Sequence, residues 1–227
     1  MGKEVPVARP TSPPTTSPAQ PRKVRHVREH ERRVAACTDC SLHAGRIKAV
    51  PGEGPMDAKL VLIGVAPRRQ EDLKGVAFAG AARNVLDNAM DAAGIDPEQV
   101  RITSLVRCRP PDDRAPTREE VAACAHHLVT ELDLMDPQVI VSFGAFATAV
   151  LHGRPVPIDR IAGYRLHLRE GVTLIPTYHP VDAVRGVPQA ATSLRRDLAA
   201  AKAVIDGRLR TGAEVLEELR SKPVACS

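Results

Sequence analysis

At 227 residues the chain has the length of one domain with some unstructured sequence to spare, and its net charge of +5 permits a polyanionic partner without requiring one. Hydrophobic residues make up 43%, enough for a core, but aromatics are only 2% and Trp is absent, so that core must be built from Val, Leu, Ile and Ala. No apolar run approaches membrane-spanning length and no apolar leader opens the chain, which argues against a membrane protein and makes a reducing cytoplasm the expected compartment.

Residues 1 to about 21 are rich in Pro, Ser and Thr and cannot bury enough apolar surface to offset the entropy of ordering. A disordered tail over 1–30 is expected, then a domain over 31–207 and a charged tail over 208–227. Arg22, Lys23, Arg25, Arg28, Arg32 and Arg33 follow closely, broken by Glu29 and Glu31. That stretch suits either a solvated basic helix leading into the domain or contact with nucleic-acid phosphates.

Lys59 to Gly64 is an apolar run that reads as a buried parallel strand feeding a loop from Val65 to Asp72. Ala81 to Ala93 carries Val85, Leu86, Ala89 and Met90 at helical spacing and stops at Gly94. Val100 to Val106 predicts a second strand. Thr117-Arg-Glu-Glu120 is a capping box opening a long helix with Cys124, Leu128, Leu132 and Met135. Val139 to Phe143 predicts a third strand, followed by a helix from about Ala145 to Leu151. Val172 to Thr177 is a fourth, delivering Tyr178-His179-Pro180 into a loop, and a last helix runs from about Gln189 to Asp206. Strands alternating with helices predict an α/β fold, three layers α/β/α around a central, mostly parallel four-stranded sheet. In such folds functional loops gather beyond the carboxyl ends of the strands, where Gly64–Asp72, Ser104–Pro111 and His179–Arg185 all fall.

Cys37 and Cys40 form a C-x2-C pair, and Cys108 and Cys124 follow as C-x15-C. Without a secretory signal, four such thiols read as a metal or iron–sulfur site rather than two disulfides; the alternative is ordinary buried cysteines. Cys226, near the end of the sequence, reads as a stray surface thiol.

Gly64-Val-Ala-Pro-Arg-Arg-Gln-Glu-Asp72 with Gly75-Val-Ala-Phe-Ala-Gly80 resembles the first motif of the iron–sulfur (family 4) uracil-DNA glycosylases, G-E-A-P-G-x-x-E-D then G-x-P-F-V-G. Ile102 to Pro110 is similar to that family's T-N-x-V-K-C-R-P segment, Pro116 to Cys124 to its P-T-x-x-E-x-x-A-C helix, and Pro176 to Pro180 to its closing histidine motif. The resemblance covers roughly residues 35 to 205 and implies a [4Fe–4S] cluster on Cys37, Cys40, Cys108 and Cys124; zinc on the same thiolates is the alternative. It also implies a monomer that acts on DNA by drawing a base from the stack and cleaving its bond to the sugar. By the same resemblance Phe78 would stack on the flipped base, His179 would stabilise charge on the departing base, and Val65, Ala66, Pro67, Arg68 and Ser104 would line the base site. Arg107 and Arg185 would meet DNA, and Glu71 or Asp72 would position water or else brace the loop.

The departures from the family's pattern fall on the base reader. Val65 stands where the motif has Glu and can neither activate water nor bind a polar group. Arg68 stands at a Gly position, Arg83 at another, and Ser104 replaces an Asn that offers a donor and an acceptor in fixed geometry. Ala183 and Val184 occupy apolar positions where Leu is usual. Three readings follow: a glycosylase for uracil or a related pyrimidine in repair, one remodelled for a bulky modified base such as hypermodified cytosine in phage DNA, and a DNA-binding homologue without activity.

Overall fold

The computed structural model describes residues 20–169, 171–210 and 214. The Pro-rich stretch up to residue 19 and most of the predicted C-terminal tail, Cys226 included, lie outside the described residues. Within them, the predicted boundary at residue 30 falls inside a helix, α1 (Gln20–Ala36), whose His30 is buried.

The chain then runs through a short 3-10 turn (Ser41–Ala44), β1 (Leu60–Gly64), α2 (Arg69–Lys74), α3 (Ala81–Ala92), β2 (Val100–Ser104) and α4 (Arg118–Met135). It continues through β3 (Val139–Phe143), α5 (Gly144–His152), α6 (Ile158–Ile161), β4 (Leu166–Arg169), β5 (Val172–Thr177), α7 (Pro180–Val184) and α8 (Ala190–Ile205). The sheet order is β2-β1-β3-β5-β4. The strands expected from the sequence are the parallel ones, β1, β2, β3 and β5. A fifth, β4, adds antiparallel to β5 at the edge. Its alternation of half-buried and exposed residues is that of a strand covered on one face.

Apolar side chains on both faces of β1, β3 and β5 explain why these runs read as continuous, whereas β2 alternates Val100 and Ile102 with Arg101 and Thr103. On one face Leu60, Leu62, Ile102 and Val141 pack against Leu86 and Met90 of α3 and Leu194 and Leu198 of α8. On the other, Val61, Ile63 and Ile140 meet Leu128 and Met135 of α4 and Ala147 of α5. This gives the expected three layers. Because β2 and β3 lie on opposite sides of β1, the chain reverses direction there, and the crevice beyond the carboxyl ends of β1 and β3 opens at that point.

The β2 edge is held by a buried ionic knot. Glu131 of α4 accepts from Arg101 Nε at 2.6 Å, from Thr103 Oγ1 at 2.9 Å and from Arg107 Nη2. Arg101 also donates to the Gly54 and Pro51 carbonyls at 2.6 and 3.1 Å. The segment it ties down covers the open edge: Glu53 exchanges backbone hydrogen bonds with Ile102 at 2.8 Å both ways. Gly54 has φ +99°, and a Cβ there would lie 1.9 Å from the Val100 carbonyl oxygen, so no other residue fits.

Removing the anion from this knot leaves two guanidinium groups buried without a counter-charge. Glu131→Ala should cost about 3–5 kcal/mol in a urea unfolding curve, a loss of the size that breaking a buried ion pair produces.

Candidate active site

Parallel strands deliver three chain segments to one crevice. After β1, Gly64 leads into Val65–Arg68; β2 runs into Ser104; β5 runs into His179. Val65, Ala66, Pro67, Arg68, Phe78, Ser104 and His179 line a single small hollow of about 30 Å3, together with Glu71. The sequence reading had named each of these residues, although they are scattered over more than a hundred positions.

His179 sits at the N-cap of α7. Its Nδ1 accepts the Val181 N–H at 3.1 Å, and its own backbone N–H donates to Asp182 Oδ2 at 3.1 Å. With Nδ1 an acceptor, the neutral ring carries its proton on Nε2. Burial, reinforced by the charges of Arg68 and Arg185, lowers the imidazole to about 4, so it is neutral at physiological pH. Its ring stacks near Phe78, with centroids 5.5 Å apart and planes 25° apart. Phe78 in turn packs edge-on against Phe143 at 5.3 Å.

Phe78 is thus both wall and core. Its φ of +52° is a left-handed backbone that a bulky residue adopts only under constraint. The constraint is Glu71, whose Oε1 accepts the Ala79 N–H at 2.8 Å while Oε2 accepts the Arg68 N–H at 3.1 Å. Gly64 completes the arrangement, since a Cβ there would approach Phe78 Cζ to 2.9 Å. Gly64, Phe143 and Asp182 carry no chemistry of their own. Sequence reasoning passed over them, although the spacing His179-Pro-Val-Asp182 is itself a capping signal.

The cysteines gather on the flank of this crevice. Cys37 follows α1, Cys40 precedes the 3-10 turn, Cys108 follows β2 and Cys124 lies on α4, and all four line one small hollow of about 10 Å3. All are free thiols. Burial raises Cys37 and Cys108 and pushes Cys124 up to about 11. Arg46 donates to Cys108 Sγ at 3.1 Å and to the Ala35 carbonyl at 2.9 Å. His127, which the sequence gave no reason to single out, also lines the hollow; with Cys37 and Asp39 it forms another donor set whose atoms lie within 4.8 Å of one another. The two hollows touch: Ala66 packs against the Cys108 and Cys124 cluster, and Val106 N–H donates to the Val65 carbonyl at 3.2 Å.

A family model, that of the uracil DNA glycosylase superfamily, matches residues 51–199. The chain belongs to this superfamily. Among its relatives, the type-4 uracil-DNA glycosylase of Thermotoga maritima is 40% identical over 149 residues, 65% of this chain and 78% of its own length. That of Archaeoglobus fulgidus is 37% identical over 173 residues, 73% of this chain and 86% of its own, and that of Pyrobaculum aerophilum 37% over 176 residues, 72% and 86%.

Set in this superfamily fold, one expected role changes, and for two acids the hydrogen bonds favour one of the two alternatives. Arg107 was expected at the DNA; it is 1% exposed and bound to Glu131, Thr103 and the Pro51 carbonyl, so it belongs to the knot behind β2. Asp72, expected either to position water or to brace the loop, does not line the His179 hollow. Its Oδ1 accepts the Ile47 and Lys48 N–H groups at 2.9 and 3.2 Å, bracing the chain after the first cysteine pair. Glu71 does face the hollow, yet both its oxygens are committed to backbone N–H groups that shape two loops. Arg185, by contrast, is exposed at the end of α7 beside Val184, itself 48% exposed.

A nitrogen-detected NMR titration should find the His179 ring protonated at Nε2 and neutral down to about pH 4. Gly64→Ala should push Phe78 off its position, visible as a changed ring-current shift on the His179 resonances.

Proposed function

We propose that this chain is a DNA glycosylase that draws a pyrimidine out of the stack and hydrolyses its N-glycosidic bond, leaving an abasic site, with uracil or a close relative as the base. The observation that carries the reading is His179: a neutral imidazole with its Nε2 proton free, at a hollow walled by an aromatic ring. A neutral imidazole can donate this hydrogen bond to a base carbonyl oxygen. The bond strengthens as negative charge grows there during departure. Phe78 offers a face on which the base stacks, and the Ser104 hydroxyl reaches its edge as donor or acceptor. Val65 supplies no carboxylate, so the balance of the work lies in stabilising the leaving base rather than in activating water. Arg185 and Val184, both exposed on α7, suit contact with the DNA backbone and the space the base vacates.

The four cysteines suit a [4Fe–4S] cluster. Buried thiols pushed up this far resist ionising alone, and a cationic inorganic core is what holds them as thiolates. Bound there, the cluster would cross-link α1, the 3-10 turn, the end of β2 and α4, and so fix the loop that carries Val65 and Ala66. Zinc on the same set is the alternative. Among the described residues no helix is long and apolar enough to cross a membrane. A monomer in a reducing cytoplasm, acting on DNA, is the arrangement this reading carries.

A second reading, a bulky modified base, is favoured by one observation. A further hollow of about 170 Å3 adjoins the first, sharing Val65, Ala66, Pro67, Arg68 and His179 and extending to Asp113, Arg114, Ala115 and Phe146. A substituent on the base has room to extend there.

Oligonucleotides bearing uracil, hypoxanthine or modified cytosines, incubated with the protein and then treated with alkali, separate the readings. Strand breaks at uracil are expected; breaks confined to a modified base establish the second reading, and binding with no breaks on any substrate overturns both. His179→Ala should slow excision about 10²–10³-fold, the cost of losing one preorganised donor, with DNA affinity unchanged. The rate should hold level from neutral pH down toward about pH 4, because the His179 ring stays neutral and keeps its Nε2 donor over that range. Cys108→Ser should abolish the iron content and visible absorbance of the purified protein; a colourless wild-type protein carrying zinc would replace the cluster in this account.

A further inference from the structure

Arg68 differs from the paired arginines around the crevice, and from the exposed Arg185 in that it lines the hollows themselves. Arg107 is locked to Glu131, Arg109 donates to Asp113 at 2.6 Å, and Arg114 bonds Glu120 through both terminal nitrogens. The half-buried Arg68 guanidinium has no ion-pair partner among the described residues, yet the residue lines both hollows that adjoin His179. Its backbone is fixed, because Glu71 holds its N–H at 3.1 Å. The acids nearby make no direct ion pair with it: Glu71 is bonded to backbone N–H groups, Asp113 to Arg109, and Asp182 to the His179 N–H. An unpaired cation held at the rim of a partly water-excluded site acts at greater strength than one in open solvent.

We propose that Arg68 is a second catalytic group of this site, whose fixed positive charge stabilises the anion of the departing base alongside the His179 hydrogen bond. The inference rests on the glycosylase reading and deepens it. As the C1′–N1 bond breaks, its electron pair leaves with the base and is spread over N1 and the flanking carbonyl oxygens. Water adds its oxygen to C1′ and loses a proton, which finally neutralises the base. An imidazole that stays neutral supplies only a dipole to this anion; Arg68 supplies the full opposite charge, which the apolar Val65 side chain cannot. The depressed basicity of His179, to which the Arg68 charge contributes, agrees with the cation being felt at the ring.

Two measurements on the full-length protein test this. In single-turnover excision of uracil and of 5-fluorouracil from the same duplex, Arg68→Gln should slow uracil about 10²-fold, the cost of one preorganised electrostatic group. It should slow 5-fluorouracil much less, because the fluorine already stabilises the anion, and Arg68→Lys should recover part of the loss. Equal losses on both bases, or a loss confined to the DNA dissociation constant, would make Arg68 a phosphate contact or a structural residue and overturn the proposal. Separately, Arg68→Gln should raise the His179 pKa from about 4 in an NMR titration; an unmoved value would place the charge elsewhere and likewise overturn it. A wild-type protein that excises no base at all defeats the glycosylase reading itself, whereas an active wild type with a flat base dependence defeats only the role of Arg68.

Discussion

Two adjacent carboxylates on one short helix hold the reactive end of this molecule together. Glu71 takes the N–H groups of Arg68 and Ala79, and Asp72 those of Ile47 and Lys48. None of these four donors lies in a strand, and peptide N–H groups removed from water must find acceptors. A buried carboxylate that accepts from two segments at once satisfies them and fixes the distance between those segments. The left-handed Phe78, the course of the Val65–Arg68 loop and the approach of the 46–48 segment to the cysteine hollow all depend on this pair. Of the two roles open to these acids, positioning water or bracing the loop, their hydrogen bonds favour the second.

Around that anchor the sheet supplies rigidity and the cysteines supply a second tether. Ala66 is shared between the base hollow and the cysteine hollow, so the loop that walls one also packs on the other. Behind β2, the Glu131 knot absorbs two arginines that would otherwise add to the positive surface. Burial chiefly holds the His179 imidazole neutral, and the charges left available near it, Arg68 and Arg185, reinforce that effect. A neutral ring can donate a hydrogen bond without requiring a proton from solvent, so the same charges that depress its basicity favour an anion at its Nε2.

Although the short helices α2, α6 and α7 lie where it predicts loops or no element, the sequence alone determined the parallel strands, the order of the longer helices between them, the four thiols and the place of His179 at the end of β5. These follow from local rules: continuous apolar runs, the Thr117–Glu120 capping box, the C-x2-C spacing and a functional residue just past a buried strand. Tertiary structure decided the rest. Arg107 and Arg185 look alike in a sequence, and only the packing of α4 against β2 turns one inward to Glu131 while the other stays in solvent. Glu71 and Asp72 are neighbours in the chain, yet only the meeting of loops far apart in sequence assigns them to different segments. The edge strand β4 exists because β5 offers a free side to pair with, and the left-handed backbone of Phe78 because Glu71 reaches Ala79. Periodicity and spacing record what each residue prefers next to its neighbours in the chain; which side of an element a charge faces, and what it finds there, is settled by contacts between distant segments.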